Sequence, residues 1–358
     1  MEFLQDLLAA IGVVLNGIPQ GLLAASLGFA SVPTALGFIV GAIACFSLGS
    51  VAPISFQAET IVLAGSMGKS MKERFSMIFF AGILMAVLGG LGLLSTISNF
   101  AGQVVLSGMM AGVGLVLAKL SLDMVKENRL VGAISMVTAI IVYFFMGKNL
   151  VYTIVISLVV SSIAAKVAHQ EITSMIPSER PFKLTLSKPV FNISVLRGAL
   201  VLACLTIGAN IAFGNITGGI AGTTQNIDHL TIYSGIADSI SALFGGAPVE
   251  AIISATASAP HAVTSGVIMM VIMAAILFTG LLPKIGKFVP SQSIAGFLLI
   301  LGAVVTFPGD AAIAFSGTNP GDSIVGGVTI AVTAFVDPFV GMVCGILLKL
   351  LFAAGIGI

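Results

Sequence analysis

The chain has 358 residues, of which 58% are apolar and 8% charged, with 42 glycines and a mean hydropathy of +1.16. Soluble domains carry charge on roughly a quarter of their residues, so this composition excludes one; at roughly 20 residues per span, up to fourteen membrane elements fit with short loops. A net charge of +1, from 15 basic and 14 acidic residues, excludes the basic stripe of a nucleic-acid binder. The expected partners are the lipid bilayer and a small solute, with no nucleic acid.

From the N-terminus, Met1 to Asp6 supplies no basic n-region, so the first apolar stretch is expected to remain as a membrane helix. Apolar runs bounded by Gly, Pro or charge predict elements near 4–29, 34–50, 51–66, 75–97, 101–122, 130–147 and 149–167. A polar linker, 168–190, follows, with His169, Glu171, Arg180 and Lys183 and with Pro177, Pro181 and Pro189. Further runs lie near 192–216, 230–244, 248–260, 262–282, 288–307, 323–336 and 338–354. Cys45, Cys204 and Cys344 sit singly within apolar runs, without disulfide or zinc spacing, and read as packing residues. Trp is absent, so loop charge rather than an aromatic belt must orient the chain.

Elements three and ten are short, 16 and 13 residues, and each opens on Ala-Pro: Ala52-Pro53-Ile54-Ser55 and Ala247-Pro248-Val249-Glu250. Short, Pro-interrupted segments at matching places in two halves point to a transporter site. Phe100 and Phe288, Gly108 and Gly296, and Gly114 and Gly302 repeat at a fixed offset of 188. The predicted fold is therefore an all-α polytopic membrane protein with about 14 transmembrane elements in a seven-plus-seven inverted repeat, elements three and ten being discontinuous. Its divisions are 1–167 (first repeat), 168–190 (linker) and 191–358 (second repeat). Thirteen basic residues on the face reached after odd-numbered elements, against two on the other, predict a cytoplasmic linker and extracellular termini.

An acid in hydrocarbon is costly and tends to serve a cavity, which singles out Glu59 and Glu250 as substrate-binding groups within the broken elements. The bland reading of each is a helix cap. Gln57, Thr60, Ser254, Thr256 and Ser258 add hydrogen-bonding capacity there, and the backbone at Pro53, Ile54, Ser55, Pro248 and Val249 is expected to open a half-helix with free N–H groups. Thr206, Asn210 and Asn215 lie in span eight; the two Asn stand about 140° apart on a regular helix, so at least one is expected to bond across a helix interface. Asp238 is read as a solvated face, Lys119 and Asp123 as a snorkelling pair, Asp337-Pro338 as a turn, and His169, His229 and His261 as loop residues. Neither a phosphate-binding Gly-rich loop nor HExxH occurs, so no enzyme chemistry, cofactor or metal is expected.

Gly245-Gly246-Ala247-Pro248, the run from Gly280 through Pro283-Lys284-Ile285-Gly286-Lys287-Phe288-Val289-Pro290 to Gly296, and Thr329 through Asp337-Pro338-Phe339 to Gly345 resemble the nucleobase-cation symporter-2 family, the xanthine/uracil permeases, nearest its guanine/hypoxanthine branch. Pro53-Ile54 and Gly112-Val113-Gly114-Leu115 fit it too. The resemblance implies core and gate domains, substrate held between elements three and ten beside span eight, homodimers, and H+- or Na+-coupled nucleobase uptake. The chain departs from that family near Ile207 to Ile211, where only Asn210 stands in for an acid, and near Ser254, where Glu250 comes one turn early. Two alternatives remain: an anion carrier of sulfate-permease-like architecture, favoured by a neutral Ser/Thr lining, and an intramembrane enzyme using Glu59 or Glu250 as base, for which the sequence offers no partner nucleophile.

Overall fold

The computed structural model describes residues 2–169, 184–319 and 321–356. Most of the 168–190 linker lies outside the described residues. Within a bilayer every backbone N–H and C=O must be paired inside the protein, which leaves helices as the default for apolar runs of this length. Accordingly the first half is built from α1 (Glu2–Ser26), α2 (Ser31–Leu48), β1 (Ile54–Ser55), α3 (Ala58–Ser66), α4 (Met71–Gly90), α5 (Leu94–Ala101), α6 (Gln103–Glu127), α7 (Arg129–Phe145) and α8 (Leu150–Val167). The second half comprises α9 (Ile193–Ile220), α10 (Ile227–Leu243), β2 (Glu250–Ala251), a 3-10 turn (Ala255–Ser258), α11 (Ala262–Phe278) and α12 (Leu281–Gly286). A helical run over Ser291–Ala314 follows, containing α13 (Ala295–Leu299), a π-helical stretch (Ile300–Thr306) and α14 (Phe307–Ala314), and then α15 (Asp322–Phe335) and α16 (Pro338–Ala353). Among the described residues, six helical segments are long and apolar enough to cross a membrane. The chain is a multi-pass integral membrane protein.

Two expected spans each prove to be a helix plus a short second helix. The run 75–97 breaks after α4 at Gly92, φ 67°, and the run 262–282 breaks after α11 at Gly280, φ 64°; α5 and α12 follow these breaks. Left-handed backbone suits Gly because no Cβ opposes it. Near the end of α6, Asp123 pairs at 2.7 Å with Lys126 rather than with the expected Lys119, the i,i+3 position being the nearer on that turn. Asp337 is more than a turn residue: its Oδ1 caps α16 by accepting from the Val340 N–H at 2.8 Å, and its Oδ2 accepts from Arg197 of α9.

Helix association in lipid lacks a hydrophobic drive, so close packing at small residues takes its place. α4 lies along α10, and α2 along α11. On the first pair, Gly82 faces Gly235 so closely that a Cβ on Gly82 would stand 2.5 Å from the Gly235 carbonyl and 3.0 Å from the Ser239 N. The same happens between α6 and the π-helical stretch, where a Cβ on Gly114 would meet the Gly302 carbonyl at 2.8 Å. These two glycines are the offset pair noted in the sequence, and they face each other. Replacing Gly82 by Ala is expected to cost about 1–3 kcal/mol and lower the thermal midpoint in detergent. Gly90→Ala, where nothing lies within 4 Å of the new methyl, should leave the midpoint unchanged; equal midpoints for both variants would show slack between α4 and α10.

Candidate functional site

Where the two Ala-Pro segments leave helical geometry, they meet. β1 and β2 pair antiparallel, with Ile54 opposite Ala251 and Ser55 opposite Glu250. Proline carries no N–H, so Pro53 and Pro248 remove two donors from backbone that no helix would satisfy. The remaining polar groups are tied down by side chains. The Tyr233 hydroxyl, on α10, donates to the Ala52 carbonyl and lies 2.9 Å from the Ser50 hydroxyl. Around Pro248, the Ala247 N–H donates to Thr34 Oγ1 of α2 at 2.8 Å, Ser241 Oγ donates to the Ala247 carbonyl at 2.6 Å, and the Val249 N–H donates to Asp238 Oδ1 at 2.6 Å.

Asp238 therefore corrects the sequence reading. It is 5% exposed, not on a solvated face, because α10 packs between α2, α4 and α9 and turns its polar stripe inward. Thr231, Ser234, Asp238 and Ser241 recur at intervals of three and four, one face of a helix. Asn210 Nδ2 donates to Thr231 Oγ1 at 3.1 Å and Ser234 Oγ at 3.2 Å, so Asn210 is engaged between α9 and α10. Asn215 lies apart from it, in a surface cleft of about 310 Å3 with Ser95, Ser98, Asn99 and Asp228.

The two acids singled out by sequence are both interior: Glu59 is 3% and Glu250 1% exposed. Glu59 stands in the first turn of α3. Glu250 Oε1 accepts from the Thr206 hydroxyl of α9 at 2.7 Å. Gln57 is the N-cap residue of α3 but does not cap with its side chain. Its Oε1 accepts from the Thr60 hydroxyl at 2.9 Å, while its Nε2 is buried without a partner. Ser55 Oγ is likewise buried and unpartnered. Ser254 and Thr256 share a hydrogen bond of 2.6 Å with each other, and Ser258 bonds its own turn. His261, expected in a loop, is the N-cap residue of α11; its Nδ1 lies 2.9 Å from Asp6 Oδ2 of α1, and its N–H donates to Asp6 Oδ1 at 2.9 Å. Among the described residues no group of three or more His, Cys, Asp or Glu is arranged to hold a metal.

No family profile matches the sequence, and no curated relative does. Solved structures do share the fold. The transmembrane domain of a cyanobacterial bicarbonate transporter, BicA, superposes with a TM-score of 0.73 at 18% identity, covering 96% of this chain and 98% of that one. A murine anion transporter, Solute Carrier 26 family member A9 in its inward-facing state, gives 0.73 at 14% identity over 98% of this chain and 68% of that one. A second structure of SLC26A9 gives 0.73 at 13% identity over 99% and 66%. The fold is thus that of a membrane transporter. The same neighbours overturn the nucleobase-cation symporter-2 resemblance and the nucleobase solute with it: they are anion transporters. The motifs behind that resemblance were mostly Gly and Pro at close helix contacts and chain breaks, which report packing rather than substrate.

Removing the Thr34 hydroxyl should test how far the site depends on its tethers. Thr34→Val leaves the Ala247 N–H buried without an acceptor, at a cost of about 1–3 kcal/mol, and should lower the melting midpoint in detergent. Thr34→Ser should retain it. Indistinguishable midpoints for the two variants would show that water or another group takes over.

Proposed function

We propose that this chain is a secondary transporter for a small inorganic anion of the size of bicarbonate or sulfate, with β1–α3 and β2 with its 3-10 turn as two discontinuous elements around the solute. The observation that carries the reading is the pair of buried, unpartnered groups just before α3, Ser55 Oγ in β1 and Gln57 Nε2 at the N-cap. An amide donor kept from water without an acceptor costs energy unless a ligand supplies one. The start of α3 adds free N–H groups and the positive end of its dipole. The anion-transporter neighbours support the same class of solute.

On this reading Gln57, Ser55, Ser254 and Thr256 bind the anion with the N–H groups at the start of α3. The backbone of residues 53–55 and 248–249, tied by the β1–β2 pairing and by Asp238, shapes the site, and Glu59 and Glu250 set the local charge. Uncompensated carboxylates would repel such a solute, so a cation, H+ or Na+, is carried with it. The fourteen elements divide into repeats 1–167 and 191–358, inverted in the membrane. The packing of α4 on α10 and of α2 on α11 supports this, since elements four and nine of the proposed repeats correspond to elements eleven and two. The linker is cytoplasmic, and two copies form a homodimer.

Uptake of labelled bicarbonate, sulfate and chloride into proteoliposomes, against labelled purines and uracil, tests the class. Gln57→Leu is expected to weaken the transported anion about tenfold, or about 1.4 kcal/mol, the scale of one hydrogen bond to a charged acceptor. Uptake of a nucleobase alone, or unchanged anion affinity in Gln57→Leu, would refute the reading.

A further inference from the structure

Two carboxyl groups lie close together in the protein interior. Asp238 of α10 and Glu250 of β2 are 5% and 1% exposed, and Asp238 accepts from the N–H of Val249, the residue before Glu250. Two neighbouring carboxylates kept from water cannot both stay ionised without a compensating charge, so one holds a proton. One oxygen of each is met by a donor: the Val249 N–H lies 2.6 Å from Asp238 Oδ1, and the Thr206 hydroxyl 2.7 Å from Glu250 Oε1. Glu250 Oε2 is buried without a partner.

Among the described residues, the elements around the pair bring it no compensating cation. Of the elements around it, α2 brings only Cys45, α5 and α11 nothing ionisable, and α3 another acid, Glu59. α4 confines Lys72, Glu73 and Arg74 to its first turn, and α9 contributes Cys204 and Arg197, the latter bound to Asp337. On α10 itself stand Asp228, His229 and Tyr233, with Tyr233 hydrogen bonded to Ala52. Two neighbouring carboxyls, each already met by a donor, suit a proton rather than a metal ion, which wants acceptor oxygens at its other faces.

Thr206 lets the pair take a second proton. Its single hydroxyl hydrogen lies within reach of both Glu250 Oε1, at 2.7 Å, and the Leu202 carbonyl, at 2.9 Å. With Glu250 ionised, that hydrogen points to Glu250. With Glu250 protonated, Glu250 donates to Thr206 Oγ1 and the Thr206 hydrogen turns to Leu202, so no polar group loses its partner.

We propose that Asp238 and Glu250 together form a proton-binding site that cycles between one and two bound protons; resting on the anion-transport reading above, it is the coupling site of that transporter. A pair at −1 repels an anion at the neighbouring strand, and a pair at zero does not, so proton and anion load together.

Infrared titration of the purified protein in lipid reads the buried carboxylic C=O stretch without any solute. A band that changes by one carboxyl with pH in the wild type, and stops titrating in both Glu250→Gln and Asp238→Asn, is expected. The thermal midpoint of each variant checks its fold, and Glu250→Gln, which keeps the Thr206 contact, suffices if Asp238→Asn fails to fold. A missing band, a band that titrates unchanged in Glu250→Gln, or one displaced by sodium at fixed pH would overturn the proton site. With sulfate as the driven anion and a trapped pH dye, wild-type vesicles should move protons with sulfate, and Glu250→Gln vesicles should lose that proton movement entirely. Sulfate flux without protons in the wild type would overturn the coupling. A titrating band with no flux of any anion would leave the proton site standing and remove the anion reading.

Discussion

Hydrocarbon offers no partner to an unpaired peptide group, and the placement of nearly everything around the site follows from where the chain departs from helix. It departs at Ala52-Pro53 and at Ala247-Pro248. Each break frees backbone groups that neither segment can satisfy alone, and the two segments answer each other through β1 and β2. The leftover groups are taken by Tyr233, Thr34, Ser241 and Asp238. Three of these four belong to one helix, α10, which makes it the scaffold of the site although it brings none of the groups singled out for the solute.

That scaffold is held by proximity rather than by apolar bulk. Facing glycines on α4 and α10 bring the two backbones within carbonyl contact, and dispersion between close backbones gains steeply with approach. The polar stripe of α10 then reaches α9 and the Pro248 segment without a gap. Packing and polar satisfaction are the same constraint seen from two faces of one helix.

Much of this was legible in the sequence. Long apolar runs read directly as helices because a bilayer admits few other structures, and the two Ala-Pro segments stood out because Pro punctuates short runs. The apolarity of α5 and α12 continues that of α4 and α11, so in the sequence only Gly92 and Gly280 mark the breaks. The burial of Asp238 is not legible from the residue alone, because a single acid in a run gives no sign of what lies across from it. The spacing of Thr231, Ser234, Asp238 and Ser241 was the signal that could have shown it facing inward. The family resemblance failed for a related reason: Gly and Pro in fixed places are demanded by a shared architecture, and they are silent about the solute.

The pairing of Ile54 with Ala251 and Ser55 with Glu250 also orders events in time. Domains form as the chain is made, N-terminal parts first, yet the partner of β1 is synthesised only after most of the chain has left the ribosome. Until then the Pro53 segment has open backbone groups and no strand beside it, and contacts this distant in sequence form slowly. The broken element of the first half therefore stays without its partner strand until β2 has been made, well into the second half of the chain.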